Sequence, residues 1–345
     1  MKMNRKNHTH IVALGLMLLL TTVTTGCSLD EVVERRERPK AVTFATEFTR
    51  ISTRSVTTLD NIWPNASVIS ISNGLGKTYR YKTAENSSTL GSGEVSTLSP
   101  VSDVIYWENP NVIFSAWYPA GTAAPTSFSV QSNQNKIVGT SGLSDADYLS
   151  QDLLYCPPEI TTFTYQQQEP IALKFHHQLA RVIVKVNSSF TEGQNQVKEK
   201  VEGITFGGGH LGLSGTISPS TTGENGSTVW TITDSQNSSI AMRDVSVASE
   251  MSNNLYTFEC MVLPQQYNSQ VDLIIVSTSG SVDGTDRTYT YKNSFTLESG
   301  YQYTYNLVVS EQGSITFATV EVTDWQTGTA IENTATIPDS SYSGI

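Results

Sequence analysis

Val42-Thr43-Phe44-Ala45-Thr46-Glu47-Phe48 reads as a β-strand on periodicity alone. Val42, Phe44, Thr46 and Phe48 fall on one side of an extended chain and Thr43, Ala45 and Glu47 on the other, an alternation of period two that marks a strand with one buried face. The same alternation recurs at residues 68–72, 78–82, 112–118, 171–175 and 179–186. Beyond these it appears at 203–206, 228–233, 255–263, 271–277, 287–292, 301–309 and 315–322. About thirteen short strands result. Asn, Gly, Ser and Pro clusters separate them, as tight turns demand. Helical periodicity is weak throughout: residues 143–154 are the one moderate candidate and 196–201 a weaker one.

A chain built of strands hides its apolar faces by packing sheet on sheet, and 345 residues suit two sandwiches of six to eight strands better than one large barrel. The expected class is therefore all-β, with two tandem β-sandwich domains. Their boundary is placed near residues 168–171, giving domains at 41–168 and 169–328. Ser/Gly-rich residues 86–99 and 120–142 are expected to be surface loops of the first domain. Charged residues make up 15% of the chain and hydrophobic ones 38%, which excludes general disorder. The net charge of -11 repels phosphate backbones and leaves no basic stripe, so nucleic acid is not an expected partner.

At the N-terminus Lys2, Arg5 and Lys6 precede an apolar run from Ile11 to Leu20. Ten helical residues rise only about 15 Å, half of a bilayer core, so the segment targets the chain for export and does not span. It ends in Thr24-Thr25-Gly26-Cys27, which resembles a bacterial lipobox, although Thr24 stands where an aliphatic residue is usual. Residues 1–26 are thus expected to be a lipoprotein signal peptide and Cys27 the lipidated residue. Asp30 and Glu31 follow, then Glu34, Arg35, Arg36, Glu37, Arg38 and Lys40. So many charges cannot enter a core, which makes 27–40 a solvated tether.

No constellation for catalysis emerges. A Gly-x-Ser-x-Gly elbow is absent from the sequence. His176 and His177 are adjacent in a strand and face opposite sides, so they cannot chelate one metal together: one is expected to be buried and the other solvated. Gly207-Gly208-Gly209-His210 is a turn without the Lys-Ser/Thr of a phosphate loop, and the Asp145/Asp147 and Asp283/Asp286 pairs lack the spacing of a calcium loop. No cofactor or metal is expected, and the chain reads as no enzyme. Cys156 and Cys260 are too few for a disulfide scaffold, and Cys260 alternates with Tyr256, Phe258 and Val262 as a small buried residue. Tyr301, Tyr303 and Tyr305 likewise alternate with polar residues and describe one buried face.

Several segments, taken in order, resemble the fimbrillin family of Bacteroides-group bacteria. They are Tyr106-Trp107, the run from Val112 to Pro119, Asp152-Leu153-Leu154-Tyr155, Leu173-Lys174-Phe175-His176-His177-Gln178-Leu179-Ala180-Arg181-Val182, Gly300-Tyr301-Gln302-Tyr303-Thr304-Tyr305-Asn306-Leu307, and Val322-Thr323-Asp324-Trp325. The order carries more than any one segment, and His at both 176 and 177 departs from the commoner Phe-Lys-His order.

This resemblance implies two transthyretin-like sandwiches, exported as an outer-membrane lipoprotein exposed on the cell surface and acting as a structural or adhesive component of fimbriae, as pilus subunit, anchor or tip. Its partners would be other fimbrial subunits, the outer membrane through the lipid, and a host or bacterial surface receptor. In such fimbriae an Arg-specific protease removes the first strand, and a C-terminal strand from a neighbour fills the groove. Here the candidate removable strand carries Val42, Phe44 and Phe48, the candidate cleavage sites are Arg50 and Arg54, and residues 329–345 form a tail able to donate a strand, with Pro338 limiting its length. The alternative is a cell-surface glycan-binding lipoprotein of a polysaccharide-uptake system. It would present an outward aromatic platform instead of filling its cores with Tyr and Trp.

Overall fold

The computed structural model describes residues 40–47, 66–84, 96–107, 111–136, 141–162, 169–192, 195–219, 228–279, 286–309 and 315–325. Nearly all of them are strand or turn, as the alternation requires. From Ala41 onward they build two hydrophobic cores.

An eight-stranded sheet surrounds the first core. Its members are β1 (Phe44–Glu47), β2 (Val68–Ser72), β3 (Thr78–Thr83), β4 (Ser96–Pro100), β5 (Asn111–Tyr118), β7 (Leu154–Thr162), β8 (Ile171–Lys174) and β9 (His176–His177), in the order β8-β1-β4-β3-β2-β5-β7-β9. The two ends of that order, β8 and β9, are consecutive pieces of one segment separated only by Phe175. The sheet therefore curls until its two edges meet in a single stretch of chain. Ile69, Ile71, Phe114 and Phe175 are almost wholly shielded inside it, and each such side chain contributes about 1.5–3 kcal/mol on burial.

The second core lies between two sheets. One is five-stranded, ordered β17 (Arg243–Asp244), β18 (Leu255–Val262), β10 (Ala180–Asn187), β21 (Tyr301–Val309) and β22 (Ile315–Asp324). The other is four-stranded, ordered β16 (Ser238–Ala241), β13 (Lys200–Leu211), β19 (Gln265–Ser279) and β20 (Arg287–Leu297). Alternation explains the packing: Val182, Val184 and Val186 of β10 face inward to meet Phe206, Ile274 and Tyr305. In β13 the residues Gly207, Gly208 and Gly209 all take positive φ, and a Cβ on Gly208 would sit 2.5 Å from the Asp272 carbonyl oxygen. This bulge is glycine for want of space as well as for its backbone angles.

Four expectations are corrected. Residues 120–142 are not merely a loop of the first domain, because β6 (Ser127–Ser129) pairs with β14 (Ser214–Pro219), itself paired with β15 (Thr228–Ile232), and Val130 is buried in the second core. Residues 86–99, also expected to be loop, contain the start of β4. The helix expected over 143–154 shrinks to the single turn α1 (Asp145–Leu149), capped by Ser144 accepting from the Asp147 N–H. It stops because Leu153 and Leu154 are drawn into different cores. Residues 196–201 are not helical at all: β11 (Ser189–Glu192) and β12 (Asn195–Lys198) form a hairpin that pairs Phe190 with Val197, and β13 begins at Lys200. The other helical turn is α2 (Ala248–Met251).

Candidate assembly site around the first strand

β1 is an interior strand although it stands at the start of the described fold. On one side it pairs antiparallel with β4, Ala45 opposite Thr97 and Thr46 opposite Ser96. On the other it pairs parallel with β8, in register from Phe44 opposite Ile171 to Glu47 opposite Lys174. Just before the strand, the Val42 N–H donates to the Ile105 carbonyl at 2.8 Å and the Ile171 N–H to the Thr43 carbonyl at 2.8 Å. The β8 ladder is thus extended by one residue, and the chain before the strand is tied to the segment that follows β4.

The side chains are held as firmly as the backbone. Val42, Phe44 and Thr46 are buried, and the Phe44 ring stands edge-on to Tyr81 (centroids 5.3 Å apart) and to Phe114 (5.0 Å). Taking β1 out of this sheet would uncover a β4 edge and a β8 edge facing one another, with an apolar slot between them. Such a slot matches any extended segment that alternates apolar and polar residues and places a large ring at the Phe44 position.

The segment that closes the ring leads straight into the second core. His177 is buried, its Nδ1 lies 2.9 Å from Asp152 Oδ1, and its ring stacks flat on Trp325 at 3.8 Å and 8°. The Trp325 N–H donates to the Gly300 carbonyl. His177 is thus the buried histidine of the pair, while His176 is half-buried where a solvated residue was expected. The Arg181 guanidinium lies 6.0 Å from the Trp325 ring and grips Glu259 Oε2 through Nε (3.1 Å) and Nη2 (2.6 Å).

The remaining candidates are engaged structurally. His210 is tilted over Tyr267 at 4.4 Å. Asp145 pairs with Arg243, and Asp147 accepts from the Ser144 hydroxyl. Among the described residues no group of His, Cys, Asp or Glu could hold a metal ion, and Cys156 and Cys260 are buried and not joined in a disulfide. Burial, with the neighbouring Glu259 carboxylate, pushes the Cys260 thiol well up, away from the reactive thiolate. Cys27, Phe48, Arg50, Arg54, Asp283 and the tail 329–345 lie outside the described residues.

Sequence reasoning found β1 and β8 as strands but missed that they pair, across more than a hundred residues of chain. It also missed the buried pair Arg181–Glu259 and the pairing of the buried Arg243 with the exposed Asp145. The first pair had left a trace: Glu259 interrupts the apolar run of residues 255–263, and a buried carboxylate calls for a cation.

Residues 49–325 match the profile of the family described as fimbrillin-like. Among solved structures the chain is similar to a candidate cell adhesion protein from Bacteroides ovatus, 17% identical, with a TM-score of 0.55 over 84% of this chain and 98% of that one. It is also similar to a candidate cell adhesion protein from Bacteroides uniformis, 16% identical, with a TM-score of 0.51 over 83% of this chain and 98% of that one. At such identities the likeness is one of fold. No curated protein matches the chain in sequence.

Proposed function

The chain belongs to the fimbrillin-like family, and from that membership we propose that it is a structural or adhesive component of surface fimbriae whose first strand is exchangeable. The observation that carries this reading is β1 itself. It is a short strand near the start of the chain, laddered on both sides, buried through Val42 and Phe44, and followed directly by Thr49-Arg50-Ile51-Ser52-Thr53-Arg54. Cleavage after Arg50 or Arg54 would free the chain upstream, with its lipid on Cys27, and open the slot between β4 and β8. A strand from the tail of a neighbouring subunit would restore both ladders. Uncleaved, the same chain would remain an outer-membrane lipoprotein, serving as anchor or adhesin.

The glycan-platform alternative fares worse. It needs aromatic faces turned outward, whereas Tyr81, Tyr148, Tyr289, Tyr305, Trp117 and Trp325 are buried, and Tyr106 is the one aromatic among the described large apolar side chains that are exposed.

The test is intact mass and N-terminal sequencing of the protein recovered from its native cell surface, with Arg50→Ala and Arg54→Ala in parallel. A terminus at Ile51 or Ser55 that disappears in the matching variant is the expected result. A terminus at lipidated Cys27 in all three would overturn the cleavage step.

A further inference from the structure

One outer face of the ring departs from the acidic character of the chain. The neighbouring strands β4, β3, β2 and β5, with the turn that joins β2 to β3, carry Lys77, Arg80 and Lys82 and no Asp or Glu, in a chain whose net charge is -11. The nearest acidic residues in sequence, Glu85 and Asp103, lie beyond the strand ends.

Exposed aliphatic side chains share this face with the cations. Leu75 is 57% exposed, Val101 50% and Ile113 43%. The registers bring them together: the Arg80 carbonyl accepts from the Val101 N–H, Ser72 lies opposite both Thr78 and Ser115, and a Cβ on Gly74 would stand 3.1 Å from the Ile113 carbonyl oxygen. Alternation sends Ile69, Ile71, Tyr81 and Phe114 into the core, so Arg80, Lys82 and Ile113 point the other way. Leu75 is held out by a built turn. Gly74 and Gly76 take positive φ, Ser72 Oγ accepts from the Gly74 N–H at 3.3 Å, and Asn73 Oδ1 accepts from the Leu75 N–H at 3.1 Å.

We propose that this face rests on an anionic lipid surface, with Lys77, Arg80 and Lys82 on phosphate headgroups and Leu75, Val101 and Ile113 entering the interface between them. Cations and apolar side chains on one face are what such a contact uses. A soluble polyanion would engage the cations and leave the aliphatic side chains in water, whereas a bilayer interface takes both. Three cations make a weak contact on their own, so its effect is to orient a chain that another attachment already holds at a membrane. Neither cleavage nor strand exchange is required.

Amide hydrogen exchange of the full, uncleaved chain tests this, in an excess of vesicles made of phosphatidylcholine alone or mixed with phosphatidylglycerol. Any attachment elsewhere in the chain is common to both vesicles, and residues 271–277 of β19 report global folding. Exchange across residues 73–78 should slow about fivefold on the anionic vesicles, the scale set by one cation near such a surface, and not on the neutral ones. Lys77→Gln with Arg80→Gln and Lys82→Gln should abolish the slowing, as should about 1 M salt, where charges are screened beyond about 3 Å. Leu75→Ser with Ile113→Ser should abolish it too. Equal exchange on the two vesicles would overturn the proposal. So would slowing that survives Leu75→Ser with Ile113→Ser, which would mean a contact of charge alone, and so would protection present without vesicles and lost on dilution, which would assign the face to a second copy of the chain.

Discussion

The first core is sealed by a ring of strands whose two ends meet at Phe175, whereas the second is held between sheets that share a segment on one side and have no hydrogen-bonded strand pair joining them on the other. The ring includes the four-residue β1, which joins it from far away in sequence. The second sandwich has longer strands, β19 reaching from Gln265 to Ser279, and its charged residues are tied inside it: Arg181 with Glu259, and Glu199 with Thr278, Tyr289 and Arg287. One region thus depends on a short strand brought in from far away in sequence, as the proposed exchange requires. The other does not, and a subunit that trades a strand needs such a division, because the trade must not unfold the whole chain.

Phe44→Ala is the sharpest way to test this contrast. Removing a ring packed edge-on against Tyr81 and Phe114 should cost about 4 kcal/mol, the usual scale for a fully buried Phe. The loss should appear in urea unfolding and in faster amide exchange across β4 and β8, while β10 and β21 keep their protection. Equal loss in both regions would mean that the cores unfold as one and that the contrast has no energetic content.

Arg181→Met strikes the other region. It leaves Glu259 buried without its cation and should cost about 3 kcal/mol, whereas Arg181→Met combined with Glu259→Leu should recover much of that, because the cost lies in the unpaired charge and not in the absent pair. Urea midpoints of the single and double variants check the prediction. Smaller again is Gly208→Ala: a positive φ of 54° and a methyl group pressed on the Asp272 carbonyl should together cost about 2 kcal/mol, read as a lowered urea midpoint with β1 and β8 protection unchanged.

Residues 42–48, 112–118 and 301–309 announce themselves as strands because a half-buried strand must alternate, and that condition is local. Which strands pair is not local. Nothing in Val42-Thr43-Phe44 specifies Ile171, since every inward apolar face fits a sheet equally well until the whole ring is assembled. For the same reason residues 127–129 pass as loop: three residues are too few to display a period, and β6 exists only because β14 receives it. The short apparent helix at 196–201 fails because Phe190 and Val197 satisfy their backbone across a hairpin. As for the candidate site, its strand was legible as an alternating segment beside two arginines, but its interior position was not, because that follows from β8 alone.

The gentlest probe is alkaline pH, because it reaches both regions through partly or wholly buried phenols that sit beside carboxylates. In the ring, burial and the nearby Asp152 push Tyr118 up to about 12. In the sandwich, burial and the hydrogen bond donated to Glu199 at 2.7 Å push Tyr289 up to about 12. A phenol raised above its ordinary value of 10.0 holds its proton more tightly in the folded chain than in the unfolded one. Its contribution is therefore whole below about pH 10 and is lost as the pH climbs toward 12. Urea midpoints taken from pH 9 to 12 should fall over that window. Tyr118→Phe should flatten the fall for the ring and Tyr289→Phe for the sandwich, each leaving the other region's slope alone. If either variant flattened both slopes, the phenols would be reporting one cooperative unit, and the energetic division between the ring completed by β1 and the sandwich independent of it would have to be given up.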